Sequence, residues 1–224
     1  MKRKYALYPI IMSICALVCF IGVLLVFSGA VQPLWGRMML LMLPALVLGI
    51  VAVCAVKGKM GVAATTVWTT VLSVVLLLAS VFYVCILSLW TATATTTDTR
   101  YYSRAYAQID ELEAVQEVFP KTVPEDAQDI QFTYYPQFLQ GGEEFELSYT
   151  ATDDALTQWR TLLERKAEWV GPNQKWHSEN NWSFDGTSGT RYQLYWDGGS
   201  NHCEICYVLL DEDLSRITFY YSVW

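Results

Sequence analysis

Residues 91–100 read TATATTTDTR, and Asp98 within them is the first acidic residue of the chain. All 22 Asp and Glu therefore fall in the last 127 of 224 residues, beside nine Lys and Arg. The first 97 residues hold six Lys and Arg and no acid, so the formal charge is +6 before Asp98 and −13 from it onward. A basic, apolar half joined to an acidic, water-compatible half predicts a membrane anchor followed by one soluble domain. The run of Thr and Ala at the junction is a poor helix and suits a linker, taken as 91–100. The acidic balance argues against nucleic acid, because neutralising phosphates needs clustered Lys and Arg. A domain of about 125 residues can build a core without disulfide or metal staples.

Upstream of the junction lie three uncharged runs, 5–36, 38–56 and 60–97. A helix crosses the hydrocarbon core with about 20 apolar residues, and two crossings plus a turn need roughly 40 or more. Each run is thus one span, predicted at about 6–30, 38–56 and 68–90 within a transmembrane region 1–90. Trp68 and Trp90 bracket the third at about 33 Å along a helix, close to the separation of the interfacial aromatic belts. Pro44 is expected to bend the second. The apolar stretch after Lys4 exceeds the h-region of a signal peptide, so the first span is read as uncleaved. Lys2, Arg3 and Lys4 precede span one and Lys57 and Lys59 separate spans two and three, against Arg37 alone between spans one and two. The positive-inside rule then predicts a cell-membrane protein with a cytoplasmic N-terminus and an extracytoplasmic domain from 101 to 224. The predicted spans carry no ionisable Asp, Glu, Lys, Arg or His, the usual mark of transport pathways, which argues against a transporter.

Downstream, apolar positions Tyr106, Ile109, Leu112, Val115 and Phe119 recur at helical steps until Pro120. IQFTY (130–134) and FELSY (145–149) alternate with period two around glycines that suit a hairpin. Helical spacing returns through Leu156, Trp159, Leu162, Leu163 and Val170, with Thr152 or Asp153 as cap and Gly171-Pro172 as stop. RYQLYW, CEICYVLL and RITFYYSVW then read as three strands. The order α-β-β-α-β-β-β predicts an α+β domain, a mainly antiparallel sheet with helices on one face.

The stretch 118–149 resembles segments of uncharacterised envelope membrane proteins of Gram-positive bacteria, through Phe119-Pro120, Pro124, Phe132, PQFLQGG (136–142) and Leu147. The resemblance implies a bacterial cell membrane. It implies no activity and no catalytic positions.

Candidate sites are few. Cys203 and Cys206 stand in C-x-x-C spacing, open to a local disulfide outside the membrane, to packing as free thiols, or to metal and redox chemistry. Residues i and i+3 of a regular strand lie about 10 Å apart on opposite faces, whereas a disulfide needs Cα atoms within about 7 Å. A pairing would therefore require a bulge at Glu204-Ile205. No metal site or cofactor is expected, since zinc would need Cys203, Cys206, His202 and His177 together. Trp176, Trp182, Tyr192, Tyr195 and Trp196 crowd together and are a candidate stacking surface for wall glycan or peptide, or core aromatics. His177 with Glu179 or Asp185 offers a general base and an orienting carboxylate, without an accompanying nucleophile motif. The leading expectation is a non-catalytic sensing, binding or accessory domain on a multi-pass anchor in the lipid bilayer. The rivals are a tethered envelope hydrolase using His177 and nearby acids, and a structural subunit whose spans join another membrane protein.

Overall fold

The computed structural model describes residues 4–109, 111–138, 142–173, 188–199 and 203–224. The chain divides into two compact units, one ending at Ala92 and the other starting at Thr93.

The first unit is helical: α1 (Leu7–Phe27), a short α2 (Trp35–Met38) that runs through a 3-10 turn (Met39–Met42) into α3 (Leu43–Val56), and α4 (Val62–Ala92). Leu7–Phe27, Trp35–Val56 and Val62–Ala92 are each long and apolar enough to cross a membrane, with mean hydropathy 3.1, 2.8 and 2.7 over an 18-residue window. The second stretch tightens into its 3-10 turn just before Pro44, which sits in the first turn of α3. There the missing N–H costs no helical hydrogen bond. Helix α4 starts six residues before Trp68, earlier than its polar approach suggested. The reason is local: the Thr65, Thr66 and Thr69 hydroxyls donate to the carbonyls of Gly61, Val62 and Thr65 at 2.9, 3.1 and 2.7 Å. The helix thus absorbs its own polar side chains. Ser13 Oγ of α1 donates to the Ala45 carbonyl of α3 at 2.8 Å, and Phe20, Met38, Leu41 and Leu87 form a buried cluster. The Arg37 guanidinium lies 4.2 Å over the Trp90 ring, and the Tyr83 hydroxyl donates to the Arg37 carbonyl at 2.9 Å.

The second unit is an antiparallel sheet of six strands with helices. After Asp98 caps a 3-10 turn at Thr99–Tyr101 come α5 (Tyr102–Ile109) and α6 (Glu113–Val118). Strands β1 (Gln128–Tyr135) and β2 (Glu143–Thr150) form the expected hairpin, followed by α7 (Asp153–Lys166), β3 (Trp169–Pro172), β4 (Thr190–Gly198), β5 (Cys203–Asp211) and β6 (Arg216–Val223). The spatial order is β1-β2-β6-β5-β4-β3. Two elements differ from the sequence reading. Its first helix is two, because Leu112 leaves the helical region (ψ 123°) and Glu113 opens a new turn. Its second helix ends at Lys166, since Ala167 is extended (ψ 136°), so Val170 belongs to a sixth strand rather than to the helix. Trp and a β-branched Val suit that strand, and Pro172 is tolerated because β3 is an edge. Thr152 is the cap of α7, accepting from the Ala155 N–H at 3.3 Å.

The helices cover one face. Phe145 of β2 packs against Tyr102, Phe119, Phe132 and Tyr134, with ring centres 5.4, 6.1, 5.6 and 6.4 Å away. Phe219 of β6 meets Phe119, Tyr149 and Trp159. On the opposite face Ile205, Tyr207, Leu209 and Tyr220 form a second buried cluster. Both sheet edges are irregular: Asp129 of β1 has φ +47° at a register slip between Gln128 and Gln131, and β3 has only four residues. Thr96 and Tyr134 exchange backbone hydrogen bonds of 3.0 and 2.9 Å along the outer side of β1.

Candidate functional site

Of the residues singled out in the sequence, Trp176, His177, Glu179, Trp182 and Asp185 lie outside the described residues. Tyr192, Tyr195 and Trp196 are described, and β4 does not gather them onto one surface. A register shift between Gln193 and Tyr195 places Tyr192 opposite Val208 and Tyr195 opposite Cys206, on the helix-covered face. Trp196 pairs with Ile205 and so belongs to the other face, where it is 40% exposed.

Cys203 and Cys206 are both free thiols. Strand β5 keeps an unbroken register with β6 from Glu204 to Asp211, so no bulge brings the two together. Cys206 is buried among the helix-face side chains, and burial pushes its thiol well up. Burial, with the charge of Asp197, also raises that of Cys203. A protonated thiol is a poor nucleophile and metal ligand. Alkylation of the denatured, unreduced full-length chain should therefore label both cysteines in the tryptic peptide 192–216. An unlabelled peptide two hydrogens light, restored by reductant, would show a disulfide instead.

A site that the sequence reading passed over sits where β1 and β6 end and β2 and β5 begin. Tyr135 pairs with Glu144, Glu144 with Ser222, Ser222 with Ile205 and Ile205 with Trp196, one row across five strands on the face away from the helices. A cavity of about 340 Å³ opens beside the start of this row, lined by Tyr135, Gly142, Glu143, Glu144, Ser222 and Trp224. Trp224 is fixed by exchanging backbone hydrogen bonds with Cys203 at 3.3 and 2.9 Å, and its side chain remains partly exposed like that of Tyr135. Gly142 is required by close approach: a Cβ there would run into the Val223 carbonyl oxygen.

Behind the row, on the helix face, two tyrosine–carboxylate pairs close the same end of the sheet. Tyr134 OH donates to Glu143 Oε1 at 2.7 Å and Tyr221 OH donates to Glu204 Oε1 at 2.9 Å. Burial holds the Glu143 carboxyl above its ordinary range; the Tyr134 hydroxyl opposes this and the charge of Glu204 adds to it. Burial raises both phenols strongly, and the neighbouring carboxylates raise them further, so they stay protonated donors. The six strands carry only two cations, Arg191 and Arg216, and both lie toward the opposite end of the sheet, paired with Leu209 and with Asp211. The Arg191 guanidinium is instead stacked 4.3 Å over the Tyr207 ring, which itself stacks on Tyr220. The ion pairs found among the described residues are Arg100–Asp98, Arg160–Glu212 and Lys166–Glu117. Among the described residues the cavity end is therefore acidic and aromatic.

Chemically the arrangement accepts hydrogen bonds and offers ring faces. Glu143 and Glu144 are successive strand residues and point to opposite faces, so they do not flank one scissile bond as paired acid–base carboxylates must. The signal for this site was present as Glu143-Glu144 after two glycines, but those residues read equally well as a hairpin loop. The chain matches no known protein family, no curated protein and no solved structure.

Proposed function

We propose that this is a three-span protein of a bacterial cell membrane that displays its second unit outside the cytoplasm as a non-catalytic binding or sensing domain. Three long apolar helices and the distribution of Lys and Arg around them support the anchor and its orientation. The observation that carries the binding role is the cavity at Glu144, concave and walled by two partly exposed aromatic rings and an acidic pair. Small-molecule sites combine such apolar walls with a few convergent polar groups, at volumes of roughly 300–1,000 Å³. The material within reach is cell-wall glycan and peptide, with a neighbouring membrane protein as the other class of partner.

The test is a titration of the full-length protein in lipid nanodiscs with soluble glycan–peptide wall fragments, followed by tryptophan fluorescence. Saturable binding that Trp224→Ala weakens about threefold or more, as loss of an aromatic wall should, is the expected result. Binding unaffected by that change would place the ligand elsewhere, and hydrolysis of the fragments during the titration would replace the binding domain with an enzyme.

A further inference from the structure

Taking the Glu144 cavity as a binding site, we infer that its ligand is an organic cation carrying N–H groups, a primary ammonium or a guanidinium on a short apolar stem. Four observations converge. Glu144 stands between Tyr135 and Ser222 in the strand row, with the Tyr220 hydroxyl as a hydrogen-bond neighbour of its carboxylate. Tyr135 and Trp224, 43% and 44% exposed, supply the ring faces toward which a cation is drawn. No Lys or Arg occurs in β1, β2 or β5, and among the described residues none that lines the cavity is basic, so a cationic ligand would meet carboxylate and no like charge there. Ser222 is 1% exposed and lines the cavity beside the Tyr220 hydroxyl, its hydrogen-bond neighbour on the same face, so it adds a hydroxyl oxygen with lone pairs to the site.

These features also separate the cation from its alternatives. The Glu144 carboxylate only accepts hydrogen bonds, so it favours a cation that donates them, as an ammonium or guanidinium does and a quaternary ammonium does not. An anionic ligand would meet the Glu144 carboxylate, with no basic side chain among the described lining residues to offset it. No group of three or more Asp, Glu, His or Cys side chains suited to a metal ion occurs among the described residues, so a bare divalent ion would lack its ligands. A stem of a few methylenes would lie against the Tyr135 and Trp224 rings, while the charged head reached Glu144.

The experiment uses the full chain in nanodiscs with four defined probes, n-butylammonium, tetramethylammonium, butyrate and Ca²⁺, read by isothermal titration and tryptophan fluorescence. Butylammonium should bind, and Glu144→Gln, which keeps the side-chain shape, should weaken it about tenfold or more. Trp224→Ala should weaken it about three- to fivefold, and Ser222→Ala should narrow the preference over tetramethylammonium while Glu144→Gln narrows it further. An unchanged melting temperature for Glu144→Gln shows that the loss is not unfolding, and Glu144→Asp serves as a second variant. Butyrate or Ca²⁺ binding in preference to butylammonium overturns the inference. So does tetramethylammonium binding as well as butylammonium to the unaltered protein. Wall fragments that bind through Trp224 while butylammonium does not would overturn the cation alone and leave the binding domain standing. Failure of both would remove the binding domain as well.

Discussion

Phe145→Ala destabilises the second unit by about 3–5 kcal/mol, the cost of deleting a buried phenyl ring and leaving a cavity. The side chain is 0% exposed and four other rings surround it, so the neighbours cannot collapse into the space without giving up their own contacts. Edge-to-face pairs add about 0.5–1.5 kcal/mol each beyond burial, which places the loss toward the upper end. Domains are stable by only about 5–15 kcal/mol, so the variant should be partly unfolded or melt roughly 10–20 °C lower. Phe145→Leu, which keeps most of the volume, should cost about 1–1.5 kcal/mol. Trp169→Ala, at a side chain 46% exposed on an edge strand, should stay within about 0.5 kcal/mol. Denaturant unfolding of the detergent-solubilised protein, followed by near-ultraviolet circular dichroism, ranks the three; a Trp169 effect equal to that of Phe145 would contradict a core centred on Phe145.

A phosphatase reporter fused after Trp224 should be active and one fused after Gly58 inactive, with a cytoplasmic fluorescent reporter giving the reverse pattern. The expectation follows from five positives on one side of the spans against Arg37 on the other. Activity at both points, or at neither, would exclude three crossings. Adding two lysines beside Arg37 while removing Lys57 and Lys59 reverses the loop bias and should sharply reduce the fraction inserted in the original orientation. The change near Arg37 has a second effect, because its guanidinium lies over Trp90 and the Tyr83 hydroxyl binds its carbonyl. New lysines there crowd that contact as well as shifting charge, so removing Lys57 and Lys59 alone is the cleaner arm.

The coarse architecture was legible because it rests on long, redundant signals. Uncharged runs of 32, 19 and 38 residues cannot be mistaken for surface segments, and the alternation in β1, β2 and β6 fixes which side chains face the helices. Three things were not legible. The break at Leu112 and the end of α7 at Ala167 each depend on one backbone angle within an otherwise helical pattern. The shift at Gln193–Tyr195 depends on pairing with β5, which no local pattern encodes, and it sends Trp196 to a different face from Tyr192 and Tyr195. The cavity at Glu144 draws on β1, β2, β6 and Trp224, residues up to 89 positions apart that only the sheet order brings together. Local motifs such as C-x-x-C drew attention, whereas the site assembled across strands left no contiguous trace.

The irregular sheet edges have a consequence for the protein as a population. In the proposed membrane-anchored state copies are concentrated in two dimensions, and a domain with a long, straight, unpaired strand would then polymerise through it. Here β1 offers little to a newcomer: Thr96 occupies both backbone groups of Tyr134 at one end, and Asp129 twists the strand out of register at the other. On the far side β3 is four residues long and finishes at Pro172, which has no N–H to give. Neither of these edge strands therefore offers a straight backbone ladder through which crowded copies could join their sheets into a fibre.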